Sequence, residues 1–203
     1  MIASSFGALA EFEMFKFLQI SPCQLWRQRT PWFFLQSGQF RLPTVLGLLL
    51  SADLSNCKLM SFPDGVFKVL SSVSENIRVI TLADNEMKAI SSKFFLTFTQ
   101  LRELDLHGNI LTKLPDCLEE MKHLTSIDLA NNNFSAFPEK LTQISTLERI
   151  NLEGNSISEI PLARLAAMPA LKWLNVTSNP LDANTQSALT SPHKFEILAQ
   201  RAS

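Results

Sequence analysis

The sequence predicts an α/β solenoid, with a short parallel inner sheet whose strands are joined by short helical or irregular outer turns. Three observations predict it. One eleven-residue pattern recurs six times between Leu49 and Leu181. Its core alternates with period two, as a short half-buried strand requires. An apolar residue and a proline follow it in four copies, at Phe62-Pro63, Leu114-Pro115, Phe137-Pro138 and Ile160-Pro161. Aligned on their ninth position, the copies read L-x-x-A-x-L-x-x-C-x-L, I-x-x-I-x-L-x-x-N-x-M, L-x-x-L-x-L-x-x-N-x-L, L-x-x-I-x-L-x-x-N-x-F, L-x-x-I-x-L-x-x-N-x-I and L-x-x-L-x-V-x-x-N-x-L. The ninth residues are Cys57, Asn85, Asn109, Asn132, Asn155 and Asn179, spaced 28, 24, 23, 23 and 24 apart. Such units bury their apolar faces only against one another, so about three are needed to stand and six suffice.

Each part of a coil has a physical reason. In the third copy Leu104 and Leu106 are expected to point inward and Glu103, Asp105 and His107 outward. The ninth residue sits where the chain leaves the strand. A buried amide there can both donate to and accept from backbone groups that the turn leaves unpaired, tying one coil to the next. Cys57 fits the same volume but is a weaker donor. The prolines end strand pairing and suit the start of a helical turn. Apolar residues three apart in Asp116–Met121 and Glu139–Ile144 fit about one to two such turns. The second copy has Ile90-Ser91 in place of the proline pair, then Phe94, Phe95 and Phe98, a bulkier outer edge. Six strands at about 4.8 Å spacing make an inner face roughly 24 Å tall, enough for a peptide or one face of a small domain.

A net charge of −1 over 203 residues gives no electrostatic case for nucleic acid or anionic membranes. The three cysteines, Cys23, Cys57 and Cys117, are odd in number and widely spaced, so reduced thiols and a cytoplasmic home, with the nucleus not excluded, are expected. The sequons at Asn133-Phe134-Ser135 and Asn175-Val176-Thr177 read as chance products of an Asn-rich repeat. No apolar run reaches the ~18–20 residues of a membrane span, and the N-terminus does not resemble a signal peptide. A monomer without stable membrane insertion is the expectation.

The repeat divides the chain into residues 1–44, an aromatic-rich N-terminal extension; 45–182, the six-coil solenoid; and 183–203, a C-terminal cap. Three readings compete for residues 1–44: a cap over the first coil, a docking segment, or an unusual start with no evolved fold. Phe195, Ile197 and Leu198 are expected to fold over the last coil.

Outward positions line up in columns across the strands. The central column reads Asp53, Thr81, Asp105, Asp128, Asn151 and Asn175. Position three reads Ser51, Val79, Glu103, Ser126, Arg149 and Trp173, and position seven reads Ser55, Ala83, His107, Ala130, Glu153 and Thr177. One reading is a docking face built from Glu103, Asp105, His107, Asp128, Arg149, Asn151, Trp173 and Asn175, mildly acidic at its middle, for a basic or amide-rich segment. Trp and Arg are enriched among binding hot spots, which favours Trp173 and Arg149. The other reading is that Asp and Asn serve the central column as soluble residues that hydrogen-bond along the stack. His107 near Asp105 and Asp128 suggests acid–base chemistry. No nucleophile can be placed with it, and no Walker loop, metal motif or C-x-x-C pair occurs. No catalytic residue, metal or cofactor is therefore expected.

The pattern resembles the leucine-rich repeat. Finer features, among them Cys57-Lys58-Leu59, Ile80-Thr81-Leu82-Ala83, Gln100-Leu101-Arg102-Glu103-Leu104, Leu165-Ala166-Ala167-Met168-Pro169-Ala170-Leu171 and Lys194-Phe195-Glu196, resemble a family of small intracellular proteins made almost wholly of these repeats. That resemblance spans about residues 50–198 and does not extend to residues 1–44. It implies a horseshoe of coils that binds a protein or peptide partner without catalysis. The alternative is a regulatory or targeting subunit of an enzyme complex.

Overall fold

Period-two segments become seven three-residue strands, all parallel and paired in chain order: β1 Ser51–Asp53, β2 Val79–Thr81, β3 Glu103–Asp105, β4 Ser126–Asp128, β5 Arg149–Asn151, β6 Trp173–Asn175 and β7 Glu196–Leu198. The structure is a computed structural model and describes residues 51–199; the segment 1–44 and the competing readings of it lie outside the described residues. The register never slips. Ala52, Ile80, Leu104, Ile127, Ile150, Leu174 and Ile197 stand in one inward row. A one-residue slip would turn that row to solvent, and its burial is what pins the pairing. Backbone pairing continues past each strand: Leu82 N–H donates to Asp105 O at 2.8 Å and Asp84 N–H to His107 O at 2.9 Å, with the same bonds one coil along from Leu106 and Gly108.

The six copies of the pattern supply β1 to β6. The seventh strand comes from the segment after Leu181, where Phe195 is buried and Ile197 half-buried, whereas Leu198, expected to fold over the last coil with them, points to solvent and is exposed. That segment thus extends the sheet by one strand.

The outer side carries α1 (Asp64–Ser71), α2 (Ser92–Thr97), two 3-10 turns (Asp116–Glu120 and Glu139–Gln143), α3 (Leu162–Ala167) and α4 (Ala183–Leu189). Pro63, Pro115, Pro138 and Pro161 each stand immediately before one of these, with φ of −70°, −71°, −73° and −77°. The ring supplies that φ in advance and has no N–H to leave unpaired. In the 23-residue coils, Leu118 with Met121 and Leu141 with Ile144 are buried pairs three apart. A 3-10 turn repeats every three residues, so it puts both members of each pair on the core side. The longer first spacing of 28 accommodates the eight-residue α1.

Where the second copy lacks proline, α2 buries Phe94 and Phe95, and Phe98 just after it is also buried. Phe94 lies 5.0 Å from Phe98 and 5.1 Å from Phe62, and Phe98 lies 5.9 Å from Phe67 (ring centroids). The Lys93 ammonium sits 4.1 Å above the Phe67 ring. This aromatic cluster is continuous with the leucine core running from Leu54 to Phe195.

Cys23 lies outside the described residues. Cys117 is a free thiol, half-buried.

Candidate functional site

The ninth-position side chains tie the coils together by a fixed set of bonds. Asn132 Nδ2 donates to Leu106 O of the preceding coil at 3.0 Å, and to Leu129 O and Ala130 O of its own coil at 3.1 Å each. Its Oδ1 accepts from Leu111 N–H of the preceding coil at 3.0 Å. Asn109, Asn155 and Asn179 repeat this arrangement, accepting from Met87, Phe134 and Ile157 N–H. Asn85 accepts twice, from Cys57 and Leu59 N–H at 2.9 and 3.0 Å. Cys57 therefore receives the ladder from the next coil through its backbone N–H.

The preceding, eighth position carries a signal that pattern reading missed. Asn56, Asp84, Gly108, Asn131, Gly154 and Ser178 all have positive φ, between 52° and 65°. Asn, Asp and Gly are the residue types that tolerate the left-handed region, and five of these six positions hold one of them. At Gly108 a Cβ would also meet Asp84 Oδ1 at 2.3 Å, and at Gly154 it would meet Asn131 Oδ1 at 2.3 Å.

The central outward column turns out to be occupied with its own backbone. Asp53, Asp105, Asp128, Asn151 and Asn175 each accept through Oδ1 from the N–H two residues on, at 2.9 to 3.2 Å. These are Asx turns, which brace the chain as it leaves the strand. Two of them also reach across the coils: Asn151 Nδ2 donates to Asp128 Oδ2 and Asn175 Nδ2 to Glu153 Oε2, both at 2.9 Å. Asn175 is buried, although its column faces outward. Hydrogen bonding along the stack is thus present in this column.

His107 stands between two carboxylates, its Nδ1 3.2 Å from Asp105 Oδ1 and its Nε2 3.3 Å from Asp84 Oδ1 of the preceding coil. Asp84 was not among the residues grouped from the sequence. Asp128, which was grouped with His107, bonds instead to Asn151.

Position three differs. Glu103 and Arg149 are exposed, Ser126 and Trp173 half-buried, and strand register sets the four in one row. The Arg149 guanidinium lies 4.6 Å from the Trp173 ring centroid, a cation–π stack across β5 and β6. Among the described residues no cluster of three or more His, Cys, Asp or Glu side chains could hold a metal ion, and no helix is long and apolar enough to cross a membrane.

Comparison with known proteins agrees with this architecture. The family model described as leucine rich repeat matches residues 75–134 and 123–181. The chain is 59% identical over 146 residues to leucine-rich repeat-containing protein 20 of Mus musculus and 56% identical over 146 residues to that of Homo sapiens. Each alignment covers 72% of this chain and 79% of the relative. Among solved structures, a leucine-rich-repeat protein of Leptospira interrogans superposes with a TM-score of 0.63 at 26% identity, over 75% of this chain and 38% of that one. The chain belongs to the leucine-rich repeat family.

Proposed function

We propose that this chain is a non-catalytic interaction scaffold that binds a protein or peptide partner on the outward face of its sheet. Leucine-rich repeats are in general protein-interaction modules, and the family membership supports the coarse reading. The observation that supports the placement is the row Glu103, Ser126, Arg149 and Trp173. It is fixed in register by four rigid strands and presents a carboxylate, a guanidinium and an indole from the sheet. Side chains held on regular strands keep their geometry, so little conformational freedom is lost when a partner docks.

The test is proximity labelling with the full chain in cells, comparing wild type, Trp173→Ala with Arg149→Ala, and an outer-surface control, Lys113→Ala. Loss of the same labelled neighbours in the sheet-face variant alone supports the proposal. Equal labelling by all three proteins refutes it.

A further inference from the structure

The outward columns divide by what their polar groups are already doing. The central column is committed: its Asp and Asn oxygens brace the turns, and Asn151 and Asn175 also donate to carboxylates of the coil before. At position three the carboxylate of Glu103, the hydroxyl of Ser126 and the indole N–H of Trp173 have no partner among the described residues. Among the described residues Arg149 is held by its stack on Trp173 alone, which leaves its N–H groups available to donate.

Spacing then narrows the occupant. Glu103 on β3 and Arg149 on β5 are two strands apart, with the small Ser126 between them on β4. Two inter-strand gaps are about 9.6 Å. A segment in the polyproline II conformation rises about 3.1 Å per residue with three residues per turn, so side chains three apart lie on the same side about 9.3 Å apart. A β-extended segment presents same-side residues every two positions, at about 6.7 Å, and does not match. A polyproline II segment also leaves no strand edge to satisfy, which suits a sheet face that offers side chains only.

Resting on the reading of the sheet face as the binding surface, we propose that position three, rather than the central column, is the recognition row. Its occupant is a polyproline-type extended peptide with a cationic side chain set against Glu103 and, three residues away, a carboxylate set against Arg149. The next apolar residue or proline packs beside Trp173. Aromatic side chains are the usual platform for such segments. Either chain direction satisfies the pairing, so the charge order along the peptide is free while the three-residue separation is fixed.

Selection from a random short-peptide display library on the full chain tests this, using wild type, Glu103→Lys, Arg149→Glu, Asp128→Asn and Trp173→Ala. Melting curves first establish that each variant folds; Glu103 and Arg149 are both exposed, so neither substitution disturbs the core. Wild type is expected to enrich opposite charges three residues apart. Glu103→Lys should enrich two acidic residues at that separation, and Arg149→Glu two basic ones. Synthetic wild-type-selected peptides should bind each charge-reversed protein about tenfold or more weakly, and Asp128→Asn with little change. Peptides lost with Trp173→Ala or Asp128→Asn but indifferent to the signs at Glu103 and Arg149 overturn this inference and leave the sheet-face reading standing. Peptides indifferent to all four substitutions, or no enrichment at all, overturn the inference, and the former sinks the sheet-face reading too.

Discussion

Replacing Asn132 by alanine removes four contacts, yet the cost should come almost entirely from one of them. Leu106 O keeps the bond from Asn109 Nδ2 at 3.0 Å, Leu129 O keeps that from Asn155 Nδ2 at 3.0 Å, and Ala130 O keeps that from Gly108 N–H at 2.9 Å. Leu111 N–H has no second acceptor among the described residues, and Leu111 is fully buried. One stranded, water-inaccessible donor costs about 1–3 kcal/mol. Asn132→Asp keeps an oxygen for Leu111 N–H but turns acceptors toward Leu106 O, Leu129 O and Ala130 O. It also places a charge in a buried site, and should cost more than alanine. Urea melts of the three proteins measure this order, and exchange at Leu111 N–H, which should speed up in Asn132→Ala, locates it. A loss below about 1 kcal/mol for alanine, or an aspartate variant as stable as wild type, would refute the ladder argument.

Gly108→Ala should destabilise by about 1–2 kcal/mol in urea melts, since φ is +64° and the left-handed region penalises a Cβ. The new methyl would also drive Asp84 from His107, so adding Asp84→Ala should recover only the smaller, steric part; full recovery contradicts the backbone account. Phe98→Ala should cost about 3–5 kcal/mol, because a fully buried ring is lost from contact with Phe62, Phe67 and Phe94; a thermal shift within error of wild type would contradict a packed cluster there. The N-cap of α4 should depend on pH. Thr185 N–H donates to Asp182 Oδ1 at 2.7 Å, and that backbone bond, with the Thr185 hydroxyl second, holds the Asp182 carboxyl below its usual range. A depressed folded-state value means that the stabilisation is complete above the ordinary aspartate pKa, near ~3.9, and is lost as pH falls through the lower folded value. Protection of α4 amides should therefore fall on acidification in wild type and be flat with pH in Asp182→Ala; parallel profiles would exclude Asp182 as the cause.

The inward half of this fold was open to reading because burial imposes a strict rule. Ile80, Leu104, Ile127, Ile150 and Leu174 must recur on the core side of every strand, and the asparagines must repeat where the turn strands its backbone. The left-handed position just before each ninth residue was equally regular, but it selects for conformational tolerance rather than for hydropathy. Asn56, Asp84, Gly108, Asn131, Gly154 and Ser178 share no side-chain character that a hydrophobic pattern registers. β7 escaped for a different reason: Phe195 and Ile197 give one cycle of alternation, too short to stand out without the leucines that precede the other strands. On the candidate face, column membership followed from the period. Which members are occupied did not, because the bonds of Asp128 to Asn151, Glu153 to Asn175 and Asp84 to His107 join residues more than twenty positions apart. The Asx-turn habit of Asp and Asn two residues before a turn was the available clue that the central column braces its own chain.

Each asparagine completes the coil before it, which gives the array a direction. Donor and acceptor both reach backward, and the next residue repeats the gesture: Ile110, Asn133 and Ser156 N–H donate to Met87, Leu111 and Phe134 O. In the sixth copy the corresponding residue is Pro180, which has no N–H to give, and Leu181 N–H turns instead to Asn179 O at 2.9 Å. The backward series therefore loses one bond at Pro180, while the sheet itself runs on into β7. Duplicating or excising a whole interior coil would hand every asparagine an equivalent set of neighbours. The number of coils is then a free variable under internal duplication.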